Sequence, residues 1–549
     1  MKYLLQYPKT SLGFLIVIFF CSFLYLAFYH YPFMGADYSF HSPKLIETAD
    51  FIKKNPFAIQ YYSRALGGIP YYGLPENNQF SLLQYSFVLF PPLIAYMVTL
   101  FIYLLFGGMG AYLLFRKSFA LESESAIIGA LLWISNGFYT AHMLVGHYSY
   151  VHFITIPLVC FLYFESLRRS NRIYLLGAAL LSASYIYSGG YFTTLLLFLS
   201  ILLLVLFFKI PWSFKSYVLL TTVTVAIAAS RLWAIITTIP LLYHDYRLPT
   251  TPTFFEALMI NVSAYFVPPR RFYRGSISDM ISWWEFCQWV CPLALLLLLP
   301  LRKQIAIKLP NTFRGWINIG TVIFIVLFSG GFFLELFSKV PILNSYWVPM
   351  RFGALLILPL IFLYLLLYSK WKLSKQYLLM AGIAILAMHL FVFHSLIKKG
   401  REGCGMWYFV EKEIFWKRQP PLPPITRLEK SDDLAILRGA LNLRAYEGEF
   451  GYNLEGIKKP LAPGSALEQF RNPACLLYPK ENSCAPWDLI QKSDQENLQR
   501  FLHNLAPKWK ISLSQKVANS ISLLTLLTLA AIFTLTLFYK RSRRSKCWQ

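Results

Sequence analysis

Long apolar runs alternate with short polar stretches along most of the chain. A helix needs about 20 mostly apolar residues to cross a bilayer, so the pattern predicts an all-α polytopic membrane protein with about 12 spans. They fall near 11–29, 90–115, 125–143, 150–167, 173–188, 191–208, 216–237, 287–301, 317–334, 351–369, 376–394 and 517–539. The first, SLGFLIVIFFCSFLYLAFY, lacks a small-residue cleavage site and reads as an uncleaved anchor. The runs near 173–188 and 287–301 are the shortest.

The polar stretches between the runs set the orientation. If the N-terminus is cytoplasmic, the cytoplasmic loops hold Arg116–Lys117, Arg168–Arg169–Arg172, Lys209–Lys215, Arg302–Lys303–Lys308–Arg314 and Lys370–Lys372–Lys375. The C-terminal tail adds Lys540, Arg541, Arg543, Arg544 and Lys546. All are basic and nearly free of acids, the bias expected of cytoplasmic loops. Both termini are then cytoplasmic, and the chain is expected in the inner (plasma) membrane. Three long segments face outside: 30–85, 238–286 and 395–515. The organisation expected is a transmembrane domain over 1–394, an extracytoplasmic domain over 395–515, and a final span with a basic tail over 516–549.

Composition agrees. Of 549 residues, 56% are hydrophobic and only 14% charged, with mean hydropathy +0.49. Soluble chains carry roughly 25% charged residues, so an ordinary soluble enzyme and a disordered chain are excluded. The 51 Lys and Arg against 26 Asp and Glu would suggest nucleic acid on a soluble protein. Here they sit in short loops between spans, so no nucleic-acid partner is expected. Cys475 and Cys484, nine apart in the outer C-terminal segment, are a candidate disulfide in an oxidising compartment, with free thiols there and at Cys404 as the alternative.

Candidate chemistry lies in the outer segments. Asp37 follows the first span on a Gly35-led turn and is either a general base at the membrane surface or a solvated turn residue. His41, Glu47 and Asp50 lie within reach of it along the chain. His142, His147 and His152 cluster at an outer turn. Spacing by five suits no single helical face and no cysteine or acid joins them, so they read as polar cavity lining rather than metal ligands. Among them His147 stands out, because Gly146 lets a backbone or ligand approach. His244 and Asp245 open the second long outer loop. Arg270, Arg271 and Arg274 form a basic cluster before Glu285, Arg351 opens a span, and Arg231 lies within one. An intramembrane arginine is expensive and suggests function, and its planar fork suits phosphate; snorkelling to headgroups is the alternative.

The single N-terminal span, the long first outer loop opening on an acid, and the second long outer loop after the seventh span resemble the GT-C superfamily of membrane glycosyltransferases. GADYSF, GGIPYYGLPENNQFSLLQYSFVLFPP, SNGFYTAHMLVGHYSYVHFITIPL and WVPMRFGALL look more narrowly like its bacterial YfhO-type branch. The resemblance covers about the first 360 residues. The sequence departs from the usual acidic pair, having Ala36 and Tyr38 beside Asp37. The resemblance implies a GT-C-like bundle and an inverting transfer on the outer face. The donor would be a polyprenyl-phosphate sugar, and the acceptor an envelope glycan, lipid or protein. Asp37 would be the base. Arg351, with Arg270, Arg271 and Arg231, would hold the donor phosphate, and His41, His147, His244 and Asp245 would line the acceptor cavity. No metal or cofactor is required by that chemistry. A flippase for lipid-linked glycans, or a non-catalytic envelope-assembly protein, would share the same spans.

Overall fold

A computed structural model describes residues 13, 16–24, 33–64, 69–208, 210, 212–238, 252–266, 285, 287–291, 312–333, 348–370, 375–401, 407–409, 417, 419–425, 427–429, 435–442, 495–506, 508 and 511–546. The described chain is mainly helical. Three ladders of two or three residues per strand are the strands found in it.

Among the described residues, seven helices are long and apolar enough to cross a membrane: Pro92–Ser118, Ser123–Val145, Tyr148–Arg168, Tyr191–Phe208, Pro349–Tyr368, Lys375–Ser395 and Leu513–Thr536. An eighth candidate is broken: Phe214–Ile227 and Ala229–Thr238 meet at 73°. Sequence predicts one straight span there. Helices Arg172–Tyr187 and Phe254–Phe266 and the helical stretch Arg314–Ser329 are apolar but shorter. The run expected to begin a span at 287 opens differently, since residues 287–291 are buried but not helical. The full count of twelve involves stretches outside the described residues.

Local signals explain the boundaries. Ser81, Asn136, Asn171, Ser213 and Thr312 each accept an amide hydrogen bond at the start of the helix they precede. Pro92 opens its helix at a position that needs no amide donor. Gly107 and Gly110 let Pro92–Leu113 lie directly on the Ile154 and Leu158 backbone, the close packing that small residues permit in lipid.

One end of the bundle collects basic side chains. Arg168 reaches the Lys117 carbonyl, and Arg314 donates to the Val205 and Leu206 carbonyls at the C-terminal end of Tyr191–Phe208. Those carbonyls lack helical partners, and a cation there also meets the negative end of the helix dipole.

The other end is built from the segment that follows the first apolar run. Asp37 does not lie on an irregular turn: it occupies the first turn of helix Ala36–Lys54, which runs through Pro43. Strand Phe33–Gly35 leads into that helix and pairs antiparallel with Trp407–Phe409 from the long polar segment near the C-terminus. A buried polar network holds the two segments together. Glu47 accepts from Gln60, Ser63 and the Arg64 amide, and Asn504 donates to the Glu47 carbonyl and to Asp50. Arg64 donates to the Pro423 and Leu502 carbonyls, and Lys54 pairs with Asp50 at 2.8 Å.

Candidate functional site: a buried histidine pair between two carboxylates

Helix Gly137–Val145 ends at Gly146, whose φ of +100° reverses the chain. The His147 amide returns to the His142 carbonyl at 2.9 Å. The two rings therefore stack, with centroids 5.0 Å apart and the Nδ1 atoms 2.8 Å apart. Spacing by five is wrong for one helical face, but this turn removes the second residue from the helix. His152 goes elsewhere, sharing a 2.8 Å hydrogen bond with Tyr103.

Gly146 also admits the start of helix Ala36–Lys54. A Cβ at Gly146 would lie 2.7 Å from the Tyr38 nitrogen. The approach sets Asp37 Oδ2 2.6 Å from His147 Nε2. Tyr38 fixes the helix from the other side, donating to the Met143 carbonyl at 2.7 Å. Burial raises the Asp37 pKa, but the adjoining His147, with His41 and Arg351, more than offsets this and holds the carboxyl below its usual range. Burial takes His41 down to about 3, so its imidazole is neutral at pH 7. Burial also raises the Tyr38 phenol, keeping it a hydrogen-bond donor.

On the far side of His142 lie Glu285 and Arg351. Glu285 Oε2 is 4.0 Å from His142 Nε2. Arg351 grips Glu285 with both arms of its fork, Nε to Oε2 at 2.7 Å and Nη2 to Oε1 at 2.6 Å. Gln288 ties the two ends together, donating to the Glu285 and Met350 carbonyls. Tyr150 stands between the groups, stacked on His142 at 4.4 Å with the Arg351 guanidinium 5.1 Å above its ring. The result is a continuous line, Asp37–His147–His142–Glu285–Arg351, in which all but partly exposed His147 are buried.

Arg231 belongs to a different place. Its Nη2 donates to the Leu74, Pro75 and Asn77 carbonyls and its guanidinium lies 5.2 Å above the Tyr72 ring. It therefore grips the turn carrying Glu76, whose charge acts on Arg351. His41 lines a small polar cavity of about 10 Å³ with Lys44, Glu76, Asn77 and Asn78, room for about one water. Arg270, Arg271, His244, Asp245, Cys475 and Cys484 lie outside the described residues.

Sequence reasoning missed His142 as a partner of His147, named Glu285 without a role or partner, and missed Tyr150 altogether. The glycine between the two histidines was a usable signal for the first. Nothing local connects Glu285 to them.

Residues 80–397 match the family described as 6-pyruvoyl-tetrahydropterin synthase related domain, membrane protein. The match spans more than half of the chain, which therefore belongs to that family. It is a membrane protein with several spanning helices, and the lipid bilayer is its immediate partner. No curated protein matches it. His142, His147, Glu285 and Arg351 fall inside the matched range, and Asp37 falls before it.

Proposed function

We propose that this protein is a GT-C-like glycosyltransferase of the YfhO-type branch, moving a sugar from a polyprenyl-phosphate donor to an envelope glycan, lipid or protein. Both termini are cytoplasmic, the membrane is the inner (plasma) membrane, and residues 395–515 form an extracytoplasmic domain. The observation that carries the reading is Asp37 itself. It is a buried carboxylate at the end of the bundle away from the basic loops, on a helix start and against an imidazole. Glu47 and Asp50, the other acids of that helix, are consumed in tying the outer segments together. That leaves Asp37 as the base of this helix.

In the proposed reaction the acceptor hydroxyl oxygen attacks the anomeric carbon and its proton passes to Asp37. The bond from that carbon to the donor phosphate oxygen breaks, and the lipid phosphate leaves with the electron pair. Arg351 holds the leaving phosphate by sharing its fork with Glu285 or by exchanging partners. Arg270 and Arg271 assist. Arg231 acts at one remove, through the Leu74–Asn77 turn.

The test compares envelope glycans and lipids of a deletion strain restored with wild type or with Asp37→Asn. A lost general base typically costs roughly 10²–10⁴-fold in rate, so the glycan should disappear at equal protein level. Full restoration by Asp37→Asn would remove Asp37 from the chemistry. A flippase of lipid-linked glycans is the second reading, favoured by the broken helix pair at 73°. Donor movement across vesicles without sugar transfer would select it.

A further inference from the structure

We propose that His142, His147 and Glu285 bind one divalent transition-metal cation of the zinc class, with Asp37 orienting His147 as its outer partner. The proposal rests on geometry and stands whether or not the protein transfers sugar.

The three residues come from a helix end, from the turn after it, and from a segment 138 positions further on, yet one donor atom from each lies within 4.8 Å of the others. Two imidazoles and a carboxylate are a common donor set for zinc and its neighbours. Ligating histidines usually give their second ring nitrogen to a carboxylate, which fixes the tautomer. His147 does this with Asp37 at 2.6 Å, which turns its Nδ1 toward His142.

Counting protons points to a cation rather than an ordinary hydrogen bond. If His147 Nε2–H donates to Asp37, neutral His147 accepts at Nδ1. His142 must then donate from Nδ1, which leaves its Nε2 a bare lone pair. That nitrogen is fully buried and has no hydrogen-bond partner among the described residues. It faces Glu285 Oε2 across 4.0 Å. Two acceptors facing each other away from water is a costly arrangement. Moving protons does not mend it. With His147 doubly protonated, His142 carries its hydrogen on Nε2, but 4.0 Å is too long for that hydrogen to bond Glu285. Zinc–nitrogen and zinc–oxygen bonds of about 2.0–2.2 Å together reach about 4.2 Å, so a cation spans this gap, and His147 becomes its third ligand when its Nδ1 gives up the hydrogen bond from His142 to take the ion. Glu285 Oε2 can take part, because its hydrogen bond from Arg351 Nε uses only one of its lone pairs.

The test uses the full chain, purified in detergent, incubated with excess zinc and desalted, with metal measured by mass spectrometry. Wild type should retain about one equivalent, the capacity of a single site. His142→Gln should retain less than a tenth of that. His152→Gln, at a buried histidine outside the cluster, should match wild type. Asp37→Asn should weaken affinity about 10–100-fold, as loss of an outer carboxylate does elsewhere. Cobalt-loaded wild type should show the visible bands of nitrogen and oxygen ligation, a readout that does not depend on any variant folding. Wild type that retains no zinc and shows no cobalt spectrum overturns the proposal, as does His142→Gln retaining the wild-type amount. Asp37→Asn that binds zinc with wild-type affinity would remove Asp37 as the outer partner of His147.

Discussion

Gly146→Ala puts a methyl group where the two histidines and the acid are brought together. Gly146 has φ +100°, a region that costs an ordinary residue about 1–3 kcal/mol. The new Cβ would lie 2.7 Å from the Tyr38 nitrogen and 3.1 Å from the Asp37 carbonyl carbon, while ordinary contact begins at 3.4 Å. These neighbours are backbone, so the start of helix Ala36–Lys54 must retreat by about 0.7 Å. A retreat of that size would stretch the Asp37–His147 contact from 2.6 Å to about 3.3 Å, beyond the usual range of a charge-assisted hydrogen bond. The expected loss of stability is about 2 kcal/mol, roughly 30-fold in the folded-to-unfolded ratio. Thermal unfolding of the purified chain measures the first effect, and the envelope-glycan phenotype measures the second. Pairing Gly146→Ala with Asp37→Asn should add nothing to the phenotype of Asp37→Asn alone. An alanine variant with the wild-type unfolding midpoint and full phenotype would show that this close approach does not set the site.

Three further outcomes are expected. Glu285→Gln and Arg351→Met should each destabilise by about 3–5 kcal/mol, because each leaves half of a buried pair uncompensated, and the double variant should lose less than their sum; strict additivity in thermal unfolding would contradict this. Arg231→Met leaves three buried carbonyls without their donor and should cost about 2–3 kcal/mol, read as lower thermal stability; an unchanged midpoint would mean the Leu74–Asn77 turn holds itself. In intact cells an impermeant thiol reagent should label Phe57→Cys, which is fully exposed beyond helix Ala36–Lys54, and should not label Arg169→Cys; the reverse pattern would invert the proposed orientation.

The spans were legible because lipid leaves the backbone few options, so apolar length carries the signal. The bend at Ala228 was not, since neither proline nor glycine marks it. Pro43 hid the helix beginning at Ala36, because proline normally interrupts a helix interior. Asp37 was conspicuous as an acid just after an apolar run, and Arg351 as a cation opening one. Their partners were hidden for two different reasons. His142 and His147 meet because a left-handed glycine removes them from helical geometry, which defeats any argument from spacing alone. Glu285 reaches Arg351 and His142 through tertiary packing, and Gln288 and Trp289 just after it are fixed by distant backbone. No local pattern encodes that placement.

The polar seam between these two distant segments also sets a timetable for synthesis. Asn504 donates to the Glu47 carbonyl across 457 positions, and Lys54 reaches the His503 carbonyl across 449. A ribosome adds about 5–20 residues each second, so roughly 20–90 s pass between the emergence of Glu47 and that of its partner. During that interval helix Ala36–Lys54 waits without its contacts to residues 503 and 504. Premature termination anywhere before residue 504 would therefore strand those groups, however many spans had been inserted. Quality control of this protein is thus weighted toward its last fifty residues, whose arrival completes a polar network begun by its first fifty-five.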